Sequence, residues 1–202
     1  MELILGSQSP RRRELLERMG LGFRVLTAEI DETKYETEDP ETSVRRICEA
    51  KAVAVADRLR SLPEGQRELP ALILTADTVV VLDGTIMGKP RSRAEAREML
   101  RALSGRTHQV FTAYTLLPAG TDLAPLTRCE RTQVRFRTLT EAEIAAYVNY
   151  GEPMDKAGAY GIQGRGSMLV ESICGDYFTV VGLPVCKVYE ALRAFGIDAL
   201  KG

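Results

Sequence analysis

Residues 3–18 read Leu-Ile-Leu-Gly-Ser-Gln-Ser-Pro-Arg-Arg-Arg-Glu-Leu-Leu-Glu-Arg, and this stretch decides the fold expected of the chain. The apolar run Leu3–Leu5 has the length of a buried strand. Ser9 and Pro10 then predict a helix start, with Ser9 as the N-cap and Pro10 as the first helical residue. Gly20 is placed to end that helix. The stretch therefore predicts a strand, a loop and a helix in succession.

Three arginines, Arg11, Arg12 and Arg13, occupy the first turn of this predicted helix. Exposed backbone N–H groups and the helix dipole disfavour cations there, by about 0.3–1 kcal/mol each. A helix N-terminus and arginine side chains that face one gap would make a strong phosphate site. The alternative is a solvated basic turn whose charge is partly offset by Glu14 and Glu17. The stretch alone leaves both interpretations open.

The composition is that of an ordinary soluble globular protein, since 45% of the 202 residues are hydrophobic and 27% are charged. The net charge of −1 gives no global field that favours nucleic acid or an anionic membrane, so we expect neither partner. No apolar stretch approaches the roughly 20 residues that a membrane-spanning helix requires. The four cysteines are widely spaced without a metal-ligand pattern, which favours reduced thiols and a cytoplasmic protein.

Two charged side chains stand within otherwise apolar patterns. Lys51 falls on the inner face of a helix predicted over about 39–59, where it either snorkels from the edge of the apolar stripe or is aimed at an anionic ligand. Asp77 and Thr78 interrupt the most apolar stretch, 71–82, which is predicted to be a central strand. A carboxylate there is costly to desolvate unless it is paired, metal-bound or at a strand end. A bulge or an Asx-turn is the alternative, but we favour a functional role for Asp77.

Local signals predict the remaining elements. The expected features are a strand over 23–30, a polar loop at 31–36, a hairpin turn at Asp83-Gly84, capping boxes at Ser92/Glu95 and Thr140/Glu143, paired strands over about 107–117 and 126–137, a strand over 167–173 and a closing helix to about 195.

A glycine-rich segment covers residues 151–166. Asp155, Lys156, Tyr160 and Gln163 are interleaved with its glycines, which favours a binding loop over a flexible linker. The single histidine, His108, begins a predicted strand and is more typical of a structural residue than of a catalytic one. With one histidine in the chain, any metal would be a hard cation held by carboxylates and phosphate oxygens.

These residues together suit the binding of a polyphosphate with a divalent metal, followed by attack of an activated water. The chain offers no serine or cysteine nucleophile with a convincing base. Phosphoryl chemistry needs from a protein mainly positioning, charge neutralisation and a base.

The chain resembles, over nearly its whole length, the Maf family of nucleoside triphosphate pyrophosphatases, once described as septum formation inhibitors. The segments that carry the resemblance are 7–12, 14–16, Lys51-Ala52, 76–80, Gly88-Lys89-Pro90, 103–105 with 107–108, 152–153 with 155–164, and 181–184. The resemblance implies an α/β protein with the Maf/ITPase-like fold: a long mixed β-sheet flanked by helices, with a cleft between two lobes. It also implies one Maf-like domain over residues 1–202.

The resemblance further implies hydrolysis of a nucleoside triphosphate to the monophosphate and pyrophosphate, with Mg²⁺ or Mn²⁺ as the divalent cation. Asp77 matches the acidic residue read as the general base, and Glu32 matches an acidic position that would help Asp77 to hold the metal. The residues expected on the phosphates are Ser7, Arg12 or its neighbour, Lys51 and Lys89.

Three positions indicate the subfamily. Arg11, Thr78 and Gln163 resemble the type that acts on dTTP and UTP, whereas the type that prefers 7-methyl-GTP typically carries an acidic residue in place of Gln163. An amide can donate and accept, which matches the O4 and N3–H edge of uracil or thymine. CTP and modified pyrimidine nucleotides stay open as substrates. A nucleotide-binding regulator of cell division and a purine-directed pyrophosphatase are the alternatives, and the resemblance is compatible with a homodimer.

Overall fold

The computed structural model describes residues 1–32 and 38–201, and in these residues seven strands form one mixed sheet. The strands are β1 (Glu2–Leu5), β2 (Arg24–Val25), β3 (Ala71–Leu82), β4 (Thr85–Met87), β5 (Thr107–Ala119), β6 (Leu126–Phe136) and β7 (Val170–Cys174). Their order is β2-β1-β3-β5-β6-β7, and β4 pairs with β3 outside this path. β1 is parallel to both β2 and β3. β4 is antiparallel to β3, and β7 is antiparallel to β6.

Six α-helices accompany the sheet in the described residues. They are α1 (Pro10–Arg18), α2 (Pro40–Ser61), α3 (Arg93–Leu103), α4 (Glu141–Tyr150), α5 (Tyr177–Val181) and α6 (Val185–Ala194). The expected α/β class with a mixed sheet and helices is therefore confirmed. Among the described helices, none combines the length and the apolarity needed to cross a membrane. Of the polar loop expected at 31–36, residues 33–36 lie outside the described part of the chain.

The chain divides into two compact units. The first contains Met1–Asp77, Ala113–Cys129 and Gly182–Gly202, and the second contains Thr78–Thr112 and Glu130–Val181. Each unit has an apolar cluster of its own: Ile4, Val55, Leu59 and Ile73 belong to the first cluster, and the second is built around residues of α3, β6 and α4. The single domain over 1–202 stays a prediction.

In the first unit, β1 and α1 lie where residues 3–18 predict them. Ser9 occupies the N-cap position and Pro10 begins the helix, as predicted, although the Ser9 side chain makes no capping hydrogen bond. The Ser7 hydroxyl accepts from the Ser9 amide instead, at 3.2 Å. The strand expected over 23–30 is reduced to two residues, since its neighbour β1 ends at Leu5 and Val25 pairs with that last residue.

In the second unit, the local signals identify most of the elements. Asp83 and Gly84 both have positive φ, as the tight hairpin between β3 and β4 requires. Thr140 and Glu143 form the predicted capping box of α4. β7 begins at Val170 rather than at 167, because Gly164–Met168 forms a short 3₁₀ helix.

Candidate functional site

Lys51 forms ion pairs with two carboxylates in the first unit. α2 places Lys51 between Ile47 and Val55, both of which are buried. Its Nζ lies 2.7 Å from Asp77 Oδ1 and 2.7 Å from Glu32 Oε1. The side chains of Lys51 and Asp77 are only 17% and 14% exposed, whereas that of Glu32 is 57% exposed. The Lys51 ammonium therefore does not snorkel into solvent but pairs with protein carboxylates, and its contact with an anionic ligand stays a prediction.

β3 spans Ala71–Leu82 and continues without a break through Asp77, so the central strand expected over 71–82 is confirmed and the alternative of a bulge or an Asx-turn is wrong. The six residues before Asp77 are all buried, and an unpaired carboxylate at the end of such a run would be costly. The ammonium of Lys51 compensates the charge, and the strand therefore does not need a bulge or a turn at this position.

The Arg12 guanidinium is held by two oxygen atoms of the first unit. Its Nη1 donates to Ser7 Oγ at 3.1 Å, and its Nε donates to the carbonyl of Gly182 at 2.8 Å. Burial lowers the pKa of Arg12, and the negative charge of Asp77 opposes this shift. A guanidinium nevertheless stays protonated in proteins. Within the first unit, Arg12 is thus a permanent positive charge that interacts electrostatically with Asp77.

The other two arginines of α1 differ in exposure. Arg11 is half-buried and Arg13 is exposed, which agrees with a basic turn that presents its side chains in different directions. The role of Arg11 in substrate choice stays a prediction.

Thr78, in the second unit, belongs to a chain of hydroxyl groups. Thr112 Oγ1 donates to the carbonyl of Thr179 at 2.7 Å, which uses its only proton. The Thr78 hydroxyl must therefore donate to Thr112 across the 2.9 Å between their Oγ1 atoms. Asp176 Oδ2 in turn accepts from the amide of Thr179 at 2.6 Å and from its hydroxyl at 2.8 Å. Because Thr112 and Thr179 are fully buried, the direction of this chain is fixed.

Lys89 and Gln163 lie on two segments of the second unit. Lys89 is exposed, between Gly88 and the buried Pro90. The carbonyl of Gly88 accepts from the amide of Gly158 at 3.0 Å, so the segment that carries Lys89 adjoins the glycine-rich segment. Gln163 is half-buried and extended, with φ −85° and ψ 169°. The contacts of both side chains with a ligand stay predictions.

Tyr160 belongs to the core of the second unit, so its grouping with the binding residues of the glycine-rich segment was wrong. Its hydroxyl shares a 2.8 Å hydrogen bond with Nε2 of the buried His108. Both rings pack edge-on against Phe136, at centroid distances of 5.1 and 4.7 Å. Burial lowers the pKa of His108 to about 4, which keeps the ring neutral at pH 7. These contacts confirm the structural interpretation of His108.

A metal site of three or more His, Cys, Asp or Glu side chains does not occur within residues 1–32 and 38–201. Asp77 and Glu32 nevertheless each place an oxygen 2.7 Å from one nitrogen atom. Mg²⁺ is usually held by one or two protein carboxylates, together with water and substrate phosphates. The donor set therefore fits a hard divalent cation that binds together with a phosphate ligand.

The family of the chain follows from a match to a family model. The model described as Maf-like protein matches residues 2–195. The chain belongs to the Maf-like protein family. This assignment confirms the resemblance found in the sequence.

This Maf-like chain has curated relatives that match it from end to end. It is 50% identical to the dTTP/UTP pyrophosphatase of Moorella thermoacetica, over 98% of this chain and 96% of the relative. It is 46% identical to the dTTP/UTP pyrophosphatase of Symbiobacterium thermophilum, over 100% and 97% of the two chains. Among solved structures, it is similar to a HAM1 protein from Coxiella burnetii, with a TM-score of 0.44 and 19% identity over 67% of this chain and 73% of that one.

Sequence reasoning assigned no role to Glu152 of this Maf-like protein. The residue lies at the start of the glycine-rich segment, and its carboxylate binds the backbone near the end of that segment. The carboxylate accepts from the backbone amides of Arg165 and Gly166, at 3.1 Å each. The available signal was an acidic residue at the start of a segment rich in glycines. Thr112 and Thr179 carried no signal, because buried threonines are common in strands and helices.

Proposed function

We propose that this Maf-like protein hydrolyses dTTP and UTP to the nucleoside monophosphate and pyrophosphate. The observation that carries the proposal is the poorly exposed Asp77 carboxylate, which meets the Lys51 ammonium beside a second carboxylate, Glu32. Acidic groups for water and metal, next to cations for phosphate, are what phosphoryl chemistry requires. The names of the two curated relatives support the same activity.

In the proposed reaction, the Asp77 carboxylate accepts a proton from a water molecule. The water oxygen forms a bond to the α-phosphorus, while the bond from that phosphorus to the oxygen bridging it to the β-phosphate breaks. Pyrophosphate leaves with the bridging oxygen, and the monophosphate keeps the oxygen from water. A positioned base of this kind contributes about 10²–10⁴-fold to the rate. The continuous strand holds the backbone of Asp77 in one place for this step.

Basic and hydroxyl groups bind the phosphates in this proposal. An ammonium has three N–H donors, and Lys51 directs two of them at Asp77 and Glu32, which leaves the third for a phosphate oxygen. The charged fork of Arg12 is suited to phosphate oxygens, and Ser7 orients it. Lys89, which is exposed, contributes a further positive charge.

We further infer that Asp77 and Glu32 hold Mg²⁺ or Mn²⁺ together with phosphate oxygens. When bound, such a cation neutralises part of the phosphate charge and polarises the phosphoryl group. Glu32 is the more exposed of the two carboxylates, so it can change partner from Lys51 to a cation with little loss of burial.

Arg11, Thr78 and Gln163 select the base in this proposal. The Gln163 amide pairs with the O4 and N3–H groups of uracil or thymine, which present an acceptor next to a donor. Cytosine presents the reverse order, an amino group next to an unprotonated N3, so an amide held in the orientation that suits uracil pairs poorly with CTP. The cytoplasm is the proposed location. The homodimer and the lack of stable nucleic acid binding stay predictions.

Pyrophosphate release from a panel of nucleotides tests the function. We expect turnover of dTTP and UTP with Mg²⁺ or Mn²⁺, and a loss of about 10²–10⁴-fold in kcat for Asp77→Asn, which removes the base. The panel includes CTP, ITP and 7-methyl-GTP, and preference for either purine would favour the purine-directed alternative.

Asp83→Asn is the matched control. It makes the same chemical change just beyond the end of β3, at an exposed turn position whose positive φ asparagine tolerates. Asp83→Asn should leave kcat unchanged. Absence of dTTP and UTP turnover in the parent protein, or full activity of Asp77→Asn, would contradict the proposal. An inactive Asp77→Asn protein that still blocked septation when overproduced would favour the regulator alternative.

A further inference from the structure

The carboxylate of Glu152 binds one end of the short segment that carries Gln163. Glu152 follows Gly151, the residue that ends α4. Its Oε2 accepts from the amide of Arg165 and its Oε1 from the amide of Gly166, at 3.1 Å each. Both bonds lie two or three residues after Gln163. They fix the backbone on that side of the glutamine.

Tyr147 extends the same network to the other side of Gln163. Its hydroxyl donates to Glu152 Oε1 at 3.0 Å and accepts from the amide of Gly161 at 3.2 Å. Burial raises the pKa of Tyr147, so the phenol stays protonated and is the donor in its bond to the carboxylate. Gln163 therefore lies between two anchored positions, Gly161 before it and Arg165 after it.

The packing leaves no room for side chains near this carboxylate. Gly164 has a φ of +62°, and a Cβ built on it would lie 3.0 Å from Glu152 Oε2. A Cβ on Gly166 would lie 1.9 Å from the carbonyl oxygen of Gly161. The backbone of residues 161–166 thus closes directly around Glu152 and Tyr147, and the glycines are what allow it.

Among the described residues, the donors to the Glu152 carboxylate are neutral groups: two backbone amides and one phenol. The nearby ammonium of Lys156 bonds elsewhere, to the Asp155 carboxylate at 2.6 Å and to the backbone carbonyl of Glu152 at 2.7 Å. Hydrogen bonds to an ionised acceptor are roughly twice as strong as those between neutral groups. The Glu152 carboxylate therefore fixes the backbone conformation of the segment and does not compensate a charged side chain.

We propose that Glu152 is a positioning residue for substrate choice: its carboxylate, with the Tyr147 hydroxyl, sets residues 161–166 in one conformation so that Gln163 meets a pyrimidine base already in place. The proposal rests on the proposed function, in which Gln163 contacts the base. If the segment is already ordered, nucleotide binding does not carry the entropic cost of ordering it. Pre-organisation of Gln163 therefore improves affinity and base discrimination more than it improves the rate of the chemical step.

The test compares Glu152→Gln with the parent protein in steady-state hydrolysis of dTTP, UTP and CTP. The amide keeps the size of the side chain but replaces one acceptor oxygen by a donor, so it cannot serve both Arg165 and Gly166. We expect the KM for dTTP to rise about tenfold and the preference for UTP over CTP to fall by a similar factor, with kcat changed less than about threefold. Glu171→Gln, at an exposed carboxylate of β7, is the matched control and should change neither quantity.

A double variant separates positioning from general damage. If Glu152 acts through Gln163, adding Glu152→Gln to Gln163→Ala causes no further loss of base preference, because the two positions act as one unit. Full, additive losses would overturn the proposal. So would an unchanged KM and base preference in Glu152→Gln.

Tyr147→Phe keeps the test decisive if Glu152→Gln does not fold, since it removes only the hydroxyl. It should raise the KM for dTTP about three- to tenfold, and an unchanged KM and base preference in this variant would overturn the proposal. The parent protein distinguishes the two levels of inference. Lack of dTTP and UTP turnover there contradicts the proposed function, whereas an active parent with unaffected variants contradicts only the role of Glu152.

Discussion

Asp77 in the first unit and Glu152 in the second are partly buried carboxylates that differ in their hydrogen-bond partners, which are charged for Asp77 and neutral for Glu152. Asp77 meets an ammonium at the end of a flexible lysine side chain. Glu152 meets two backbone amides and a phenol. A lysine can change its partner when a ligand or a cation arrives, whereas backbone amides move only if the chain refolds locally. The first arrangement therefore suits chemistry, and the second suits the fixing of shape.

Lys51→Met breaks the charged arrangement and should have the largest effect on stability. It leaves Asp77 in a poorly exposed position without its ammonium, and we expect the free energy of unfolding to fall by about 3 kcal/mol. Adding Asp77→Leu should restore most of this loss, because two apolar side chains need no compensation. Urea denaturation measures both effects.

The control for this prediction is Arg135→Met, which removes one partner of an ion pair whose side chains are 51% and 53% exposed. Its effect should stay below about 1 kcal/mol. If Lys51→Met is as stable as the parent protein, Lys51 does not compensate a buried charge. The Lys51→Met/Asp77→Leu variant should be inactive whatever its stability.

Acid should destabilise the second unit through the buried and neutral His108 ring. The pKa of His108 is lowered from 6.5 to about 4 in the folded protein, so the unfolded chain binds a proton that the folded chain does not bind between these values. Stability is therefore fully present above pH 6.5 and falls as the pH falls toward 4. Between pH 7 and pH 5 the expected loss is about 2 kcal/mol.

Denaturation of the parent protein and of His108→Gln at both pH values isolates this effect. The variant should lose about 2 kcal/mol less than the parent on acidification, although it is less stable at pH 7. Equal losses in the two proteins would show that His108 titrates normally. In the described residues, Nδ1 of His108 has no hydrogen-bond partner, so a second proton on the ring would find no acceptor.

Thr112→Val should have the smallest effect of the three, because it removes bonds between neutral groups only. The carbonyl of Thr179 loses the hydroxyl from which it accepts at 2.7 Å, and we expect a loss of about 1–2 kcal/mol. Thr115→Val is the control on the same strand. Thr115 is equally buried but bonds to a thiol and a hydroxyl rather than to a carbonyl, so its loss should be smaller. The reverse order would contradict the chain of hydroxyls deduced for Thr78.

The features that the sequence predicted correctly depend on groups close together in the chain. The capping box of Thr140 and Glu143 joins residues three positions apart, and the Asp83-Gly84 turn joins adjacent ones. Such signals are complete within the segment that they shape. The same reasoning placed β1, α1 and the boundaries of α4 correctly.

The errors and omissions concern partners from distant parts of the chain. The sequence did not identify the partner of Asp77, because the compensating Lys51 lies 26 positions away on another element. Tyr160 was grouped with binding residues, because nothing near it in the sequence indicates that His108 and Phe136 enclose it. Glu152 was overlooked for the same reason, since its amide partners lie 13 and 14 positions further on. Side-chain identity indicated which residues carry charge, but not which charges meet.

The bond from Arg12 to the carbonyl of Gly182 spans 170 positions and has a consequence for biosynthesis. At about 5–20 residues per second, the ribosome adds Gly182 on the order of ten to thirty seconds after Arg12. During that interval the ribosome adds Lys51 and then Asp77, while the Gly182 carbonyl that accepts from the guanidinium is still missing. A chain released before Gly182 therefore keeps the Ser7 contact of Arg12 but lacks this carbonyl acceptor, and an unfinished copy does not acquire the full triphosphate-binding apparatus proposed for the finished protein.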